Sequence, residues 1–181
     1  MTSGQCSLAP SKTGAKVRRN AFFSFHYVPD NWRAATVRGI GALDGNEPVS
    51  DNRWEEVTNG GDAAIERWIS NEMRGRTCAV VLAGSGTANR RWINYEISKA
   101  WNDNLGVVAI HIHGLKDRDQ RQSAMGKNPL DYVKFTSSGM SLSSVAKCYN
   151  PPYTDSRSVY RYISDNISDW VEEAIRIRRA N

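Results

Sequence analysis

Two continuous apolar segments constrain the fold of this chain most strongly. Residues 77–83 (TCAVVLA) are apolar after the first position, and residues 107–113 (VVAIHIH) are rich in β-branched side chains. Segments of this length without alternating polar residues are typical of strands buried on both faces, as in a parallel sheet. No segment approaches the roughly 18 consecutive apolar residues of a membrane-spanning helix. The sequence therefore predicts a buried parallel sheet and no transmembrane helix.

Helix-like segments alternate with the predicted strands. The aromatic segment 21–27 predicts a first strand, followed by a helix that Asp30 or Asn31 would cap. Apolar side chains recur at helical spacing in three further segments, namely residues 62–73, 89–102 and 157–179. This alternation predicts an α/β fold in which helices flank a central parallel sheet on both faces.

The domain organisation follows from glycine content and charge. Residues 39–61 are rich in glycine, which predicts a long loop with room for one short strand. Residues 114–156 are polar and form a long connection, in which the pattern assigns no helix or strand, before the last helix. Residues 1–19 lack acidic and aromatic side chains, and we expect a flexible basic leader there. The remaining residues, 20–181, are predicted to form a single domain.

The net charge of +5 has little bearing on the folded part. The chain has 24 Lys and Arg against 19 Asp and Glu, and four of the basic residues lie in the leader. Residues 20–181 therefore hold 20 basic and 19 acidic side chains, so a nucleic-acid ligand is disfavoured. The three cysteines are far apart and form no CxxC motif, which fits a reducing cytoplasm and indicates neither a disulfide framework nor a zinc ribbon.

Candidate site residues lie where the predicted strands end. Ligands of parallel sheets bind outside the carboxyl ends of the strands, where His26, Ser85 and His111 are expected. The Gly84–Thr87 loop could hold a phosphate, although a tight turn is the favoured interpretation. His111 and His113 would share one face of a strand, but no acidic or thiol ligand joins them, so packing is favoured over a metal site.

The most informative segment is residues 90–96 (RRWINYE). Trp92 and Glu96 are four residues apart and share a helix face, beside the apolar stripe of that helix. A carboxylate beside a large aromatic ring at the ligand-binding edge could bind hydroxyls or stabilise a developing cation. The spacing alone favours the alternative, a solvated surface Glu96 beside a packing Trp92.

Four segments together resemble the TIR-like proteins of bacterial Thoeris antiphage systems. They are residues 22–27 (FFSFHY), 54–55 (WE), 89–97 (NRRWINYEI) and 110–113 (IHIH), and the resemblance spans about residues 20–117. It implies a flavodoxin-like TIR fold and cleavage of NAD+ at the nicotinamide–ribose bond. It also implies a cyclic ADP-ribose-type signal that activates a separate effector protein in the cytoplasm.

The resemblance also implies roles for individual residues. The catalytic glutamate of the family lies four residues after a Trp on the helix that follows the third strand, a position matched by Glu96 after Trp92. Many TIR enzymes have Cys directly after that Trp, where this chain has Ile93. Substrate contacts are expected from seven residues, namely Phe25, His26, Tyr27, Trp54, Ser85, Trp92 and His111. No metal or tightly bound cofactor is expected, since NAD+ is the substrate.

Other functions remain open at this point. Many TIR domains are adaptors that act by self-association, and this chain could be such a non-enzymatic interaction module. A glutamate at the catalytic position favours the enzyme, because an adaptor has no chemical need for it. A receiver or flavodoxin-like protein is a third possibility, but the first strand is not followed by the acidic cluster that a receiver needs.

Overall fold

The computed structural model describes residues 18–45 and 57–181. Most of the predicted leader, together with Trp54 and the middle of the glycine-rich loop, lies outside the described residues. The described strands are β1 (Asn20–Phe25), β2 (Asp44–Gly45), β3 (Cys78–Ala83), β4 (Gly106–His111) and β5 (Lys147–Tyr149). The long helices of the described part are α1 (Tyr27–Arg38), α2 (Asp62–Met73), α3 (Arg91–Asn102) and α4 (Ser156–Ala180).

The five strands form one sheet in the order β2-β1-β3-β4-β5, and every neighbouring pair is parallel. This is the strand order of flavodoxin-like folds, in which the winding of the chain reverses between β1 and β3. The predicted α/β fold is confirmed, and the short strand expected within residues 39–61 is β2. The reversal creates a crevice at the carboxyl ends of β1 and β3, where ligands of such sheets bind.

Helices cover both faces of the sheet and produce two apolar cores. On one face, side chains of α1 and α4 pack on the strands; this core includes Phe23, Val37, Val80, Ile110, Ile163 and Ile167. On the other face, α2 and α3 pack on the alternate strand positions; that core includes Phe22, Ile69, Val81, Ile93, Ile97 and Val107. The central strands β3 and β4 are buried along their whole length, which explains their continuous apolar sequence.

Helix α1 begins earlier than the sequence predicts. Its first residue is Tyr27, and the N-cap position is His26, whose side chain makes no capping hydrogen bond. The prediction that Asp30 or Asn31 caps this helix is therefore wrong. Pro29 fits within the first turn because the N–H group that proline lacks has no helical partner there.

Three other boundaries shift by about two residues. β1 ends at Phe25, and α3 begins at Arg91, after Asn89 with its left-handed φ of 61°. β4 ends at His111, so His113 lies in the turn that follows. The prediction that His111 and His113 share a face of one strand is therefore wrong.

The long connection between β4 and α4 is ordered, although its sequence gives no periodic signal. It contains two short 3-10 helices, Pro129–Tyr132 and Leu142–Ser144, and the edge strand β5. Asn128 caps the first of these, since its side chain accepts a hydrogen bond from the Leu130 amide at 3.0 Å. Elements of three or four residues are too short to show a helical or strand period, so the pattern could not predict them.

Candidate functional site

A buried polar pair lies beside the crevice between β1 and β3. Ser24 is the penultimate residue of β1 and faces the same side of the sheet as Phe22, toward α3. Its hydroxyl donates a hydrogen bond of 2.5 Å to Oε2 of Glu96 on α3. Ser24 is 2% exposed and Glu96 is 9% exposed. The structure therefore places a carboxyl group almost entirely out of solvent at the ligand-binding edge.

Burial changes the protonation of Glu96. Loss of hydration disfavours the carboxylate and raises the pKa of Glu96 to about 7, while the hydrogen bond from Ser24 acts in the opposite direction. Glu96 therefore changes charge near neutral pH, which is typical of functional carboxyl groups. The alternative interpretation of Glu96 as a solvated surface residue is wrong.

The amphipathic pattern of α3 explains how Glu96 reaches this position. Ile93 and Ile97 face the core, and Glu96 lies at the margin of that buried face, directed toward β1. Trp92 occupies the first turn of the same helix and is half-buried. Its ring packs edge-on against Tyr95, with 5.7 Å between centroids, and the Arg91 guanidinium lies 4.7 Å from its centroid.

The structure brings His26 and Ser85 to the same edge. His26 follows β1, and Ser85 is an exposed residue of the loop that follows β3. A Cβ atom on Gly86 would lie 3.5 Å from Nδ1 of His26, so the two segments are in contact. Arg90 donates a hydrogen bond of 2.9 Å to the Gly86 carbonyl. Burial, and to a lesser degree the charge of Arg90, lowers the pKa of His26, which favours the neutral imidazole.

His111 lies at the end of β4 on the side of the sheet that faces α3. It is 4% exposed and pairs in register with Ala83, the last residue of β3. Its ring centroid is 5.9 Å from that of His113. Burial is the main cause that lowers the pKa of both imidazoles. Both Nδ1 atoms are buried without a hydrogen-bond partner among the described residues, and such an atom is available to a polar ligand group.

Phe25 and Tyr27 are not brought together with Glu96. Successive side chains of a strand point to opposite faces, and Phe25 packs against the core beneath α1 and α4. Its ring stacks on Tyr27, with centroids 6.3 Å apart. Both therefore lie across the sheet from the face that carries Glu96. Trp54 lies outside the described residues.

The Gly84–Thr87 loop has the tight turn that the sequence favours. Oγ1 of the buried Thr87 accepts a hydrogen bond from the Gly84 amide at 2.9 Å and donates one to the Leu82 carbonyl at 3.3 Å. A Cβ atom on Gly84 would lie only 1.9 Å from Oδ2 of Asp30, so no larger residue fits at this position. Ser85 therefore lies at the exposed tip of a turn whose first and last residues, Gly84 and Thr87, are closely packed.

Sequence reasoning missed two residues that organise this edge. Ser24 has a local signal, since it is the one hydroxyl in an otherwise aromatic strand core (residues 22–25, FFSF). A polar side chain at a core-facing position needs a hydrogen-bond partner, but its sequence does not say which. Asp30 is the second; we expected a helix cap there, whereas the side chain is buried and forms an ion pair with Arg33.

Two features of the described residues bear on other classes of function. Among residues 18–45 and 57–181, the His, Cys, Asp and Glu side chains form no group of three or more that could hold a metal ion. No helix in the same part of the chain is both long and apolar enough to cross a membrane.

Comparison with known proteins agrees with this fold. The family model for the TIR-like domain of the Thoeris protein ThsB matches residues 22–117, which is more than half of the chain. The chain is also 32% identical over 131 residues to "Putative cyclic ADP-D-ribose synthase ThsB1" of Bacillus cereus (strain MSX-D12), an alignment that covers 68% of each protein. The region matched by the family model contains β3, α3, β4 and all but the first two residues of β1, and therefore Ser24, Glu96 and His111. The chain belongs to the family of Thoeris ThsB proteins with a TIR-like domain.

Proposed function

We propose that this protein cleaves NAD+ at the bond between nicotinamide and ribose and closes the remaining ADP-ribose into a cyclic product. The observation that carries the proposal is the buried Glu96 carboxyl group, hydrogen-bonded to Ser24 beside the β1–β3 crevice. Membership in the ThsB family supports the proposal, as does the name of the Bacillus cereus relative, which refers to cyclic ADP-D-ribose synthesis.

The chemistry of the first step requires a negative group near the ribose. When the carbon–nitrogen bond breaks, its electron pair leaves with nicotinamide, and positive charge develops on the ribose as in glycoside cleavage. The Glu96 carboxylate stabilises this charge and binds ribose hydroxyls. Nicotinamide departs as a neutral molecule, so the step needs no second carboxyl group as a proton donor.

The environment of Glu96 suits this role. A carboxylate in a site of low dielectric interacts more strongly with a developing cation than one in water does. With a pKa of about 7, Glu96 is partly ionised in the free protein. The positively charged nicotinamide ring of the bound substrate favours the ionised form further, since opposite charges at short range lower the pKa of a carboxyl group. Substrate binding therefore prepares the carboxylate.

Other residues of the edge would bind the rest of the substrate. We assign substrate contacts to His26, Ser85 and His111, which lie at the ends of three adjacent strands, and stacking on a substrate ring to Trp92. Phe25 and Tyr27 are left out of this set because they pack across the sheet. The reaction uses no tightly bound cofactor in this proposal.

The product follows from what reaches the ribose carbon after nicotinamide leaves. Attack by water gives linear ADP-ribose, whereas attack by a nitrogen of the substrate's own adenine closes the ring. A pocket that excludes water favours ring closure. We further propose that the cyclic product is a cytoplasmic signal, made after phage infection, that activates a separate effector protein.

The alternative is a non-enzymatic interaction module that acts by self-association. The buried Glu96 disfavours this alternative, because burying a carboxyl group destabilises the fold and an adaptor gains nothing from it. In an enzyme, this loss of stability is offset by the catalytic function of a carboxylate at the reacting carbon.

The proposal is tested by mass spectrometry of small molecules from phage-infected cells that carry the wild type, Glu96→Gln or Glu66→Gln. Glu66 is an exposed glutamate on α2 and makes the last variant a matched control. We expect nicotinamide release and a cyclic ADP-ribose-type product from the wild type and Glu66→Gln. For Glu96→Gln we expect a loss of about 100-fold or more.

Two results would contradict the proposal. One is the absence of nicotinamide release in infected cells that carry the wild type. The other is a Glu96→Gln variant that produces as much cyclic product as the wild type at equal protein levels. NAD+ depletion alone does not discriminate, because the effector could consume NAD+ as well.

A further inference from the structure

Arg33 on α1 is the most completely hydrogen-bonded side chain near the candidate site. It is 3% exposed, and its guanidinium donates five hydrogen bonds. Two remain within α1, to the Pro29 carbonyl and to Oδ1 of Asp30, at 3.1 and 3.2 Å. The other three cross to the loop that follows β4. The number of bonds equals the number of N–H donors of an arginine.

These three bonds hold the loop near its start and near its middle. Nε donates to the Leu115 carbonyl at 2.9 Å, and the terminal nitrogen Nη2 donates to Oδ2 of Asp117 at 3.3 Å and to the Arg121 carbonyl at 2.9 Å. We call residues 114–126 the wall segment. Arg33 therefore attaches the first half of the wall segment to α1.

The wall segment is also held by contacts of its own. Gln122 Nε2 donates to the Gly114 and Thr154 carbonyls at 2.6 and 2.7 Å, and the Ser123 amide donates to the His113 carbonyl at 3.1 Å. Asp117 Oδ1 accepts two amide hydrogen bonds within the loop, each of 2.9 Å. Because the wall segment is closely connected, a shift of Arg33 moves its far end as well.

The far end of the wall segment lies against the candidate site. A Cβ atom on Gly126 would be 2.1 Å from the Gly84 carbonyl oxygen and 3.1 Å from Cα of Ser85. Gly84 is also in contact with Asp30, the ion-pair partner of Arg33. The turn that carries Ser85 is thus packed between Asp30 and Gly126. Arg33 is hydrogen-bonded both to Asp30 and to the wall segment, which contains Gly126.

We propose that Arg33 is a positioning residue that holds the wall segment against the Gly84–Ser85 turn, keeps water out of the pocket and so favours the cyclic over the linear product. This inference rests on the proposed function. A buried guanidinium is costly unless all its donors are paired, and an apolar residue would fill the same space at lower cost. The five bonds define the path of the loop, which an apolar residue would not do.

The ratio of cyclic to linear product measures this role directly. After the bond to nicotinamide breaks, the ribose carbon either bonds to a water oxygen, giving linear ADP-ribose, or to a nitrogen of the substrate's own adenine, giving the cyclic product. Attack by water releases one proton from that water. Attack by a ring nitrogen of adenine releases none and leaves the positive charge on the adenine ring, whereas attack by its exocyclic amino nitrogen releases one proton. The ratio of the two products does not depend on the amount of active enzyme. A variant that merely lowers the folded fraction therefore reduces both products and leaves the ratio unchanged.

The experiment measures the cyclic-to-linear ratio for the wild type, Arg33→Lys, Asp117→Asn and Arg118→Lys. Lysine keeps the charge beside Asp30 but not the planar fork. Asp117→Asn keeps the oxygen that accepts the loop amides and removes the charge facing Arg33. It provides the test if Arg33→Lys fails to fold. Arg118 is 81% exposed on the same segment and is the matched control. We expect the ratio to fall on the order of tenfold in Arg33→Lys, less in Asp117→Asn and not at all in Arg118→Lys.

Hydrogen exchange of the amides of residues 84–87 gives a second readout that needs no activity. We expect exchange on the order of tenfold faster in Arg33→Lys than in Arg118→Lys, with the core strands β3 and β4 unchanged. The inference is overturned by an unchanged ratio in both Arg33→Lys and Asp117→Asn, by a wild type that makes only linear product, or by unchanged exchange. A wild type that releases no nicotinamide overturns the proposed function, and the exchange experiment then still decides whether Arg33 holds the turn.

Discussion

Replacing Glu96 by glutamine is predicted to stabilise the folded protein above neutral pH while it removes the activity. The pKa of Glu96 is about 7 in the folded protein against an ordinary value of 4.5. Between these two pH values the folded state keeps the proton that the unfolded state has lost. Stability therefore falls as pH rises through this window, and the loss is complete above pH 7. Glutamine carries no titrating proton, so Glu96→Gln avoids this loss.

The size of the stabilisation by Glu96→Gln follows from the change in the pKa of Glu96 on folding. A pKa that rises from 4.5 to about 7 on folding corresponds to roughly 3 kcal/mol. Water entering around the carboxylate reduces the effect, so we expect a stabilisation of about 1–3 kcal/mol at about pH 8. Near pH 4.5 the two proteins are expected to be equally stable, because Glu96 is protonated in the folded wild type. The Ser24 hydroxyl can donate to the amide oxygen of glutamine as it does to Oε2. In a chain of this size the gain corresponds to a rise in Tm of roughly 2–4 °C per kcal/mol.

The assay is urea unfolding of both proteins between pH 4.5 and 8, followed by tryptophan fluorescence. Three histidines with lowered pKa values, His26, His111 and His113, add a pH dependence of opposite sign, since stability rises as they lose their protons. That contribution is common to both proteins, and the difference curve isolates Glu96. Parallel curves over the whole range, or a Glu96→Gln variant less stable than the wild type at pH 8, would refute the argument from burial.

Further predictions concern the hydrogen bond to Glu96 and the glycine turn. Ser24→Ala removes the hydrogen bond that favours the Glu96 carboxylate, so the rise of kcat/KM with pH, expected near pH 7 in the wild type, should shift to higher pH; a pH profile of nicotinamide release checks this, and an unshifted profile contradicts it. Gly84→Ala forces a Cβ atom to within 1.9 Å of Asp30 Oδ2 and should cost roughly 1–3 kcal/mol in urea unfolding. Gly86→Ala, whose Cβ meets the His26 ring at 3.5 Å, is the matched control and should lie within about 0.5 kcal/mol of the wild type. Equal losses in the two glycine variants would show that the contact with Asp30 is not the cause.

Most of the layered architecture could be predicted because it depends on local periodicity. Continuous apolar segments identify β3 and β4, and apolar spacing identifies α2, α3 and α4 to within about two residues of the observed bounds. The start of α1 was wrong because Pro29 indicates a break as well as a first turn. The elements between β4 and α4 could not be predicted because elements of three or four residues are too short to show a repeating pattern.

The candidate site could also be predicted only in part. A single carboxylate, Glu96, could be named from its segment and the resemblance that the segment carries, but spacing alone favoured a solvated side chain. Its burial became visible only in the fold, because α3 packs its margin against β1. Phe25 is expected at the site because it ends the first strand and because of the family resemblance, whereas strand alternation directs its side chain to the opposite face.

The sequence by itself therefore determined the class of fold, the strands and helices at its centre, and the residue type expected to carry the chemistry. Only the tertiary structure decided which distant residues meet. Ser24 and Glu96 are separated by 72 positions, and Arg33 and Asp117 by 84. The physical reason is that periodicity reports which face of an element is buried, whereas such contacts depend on strand order, register and helix packing, which no local pattern encodes.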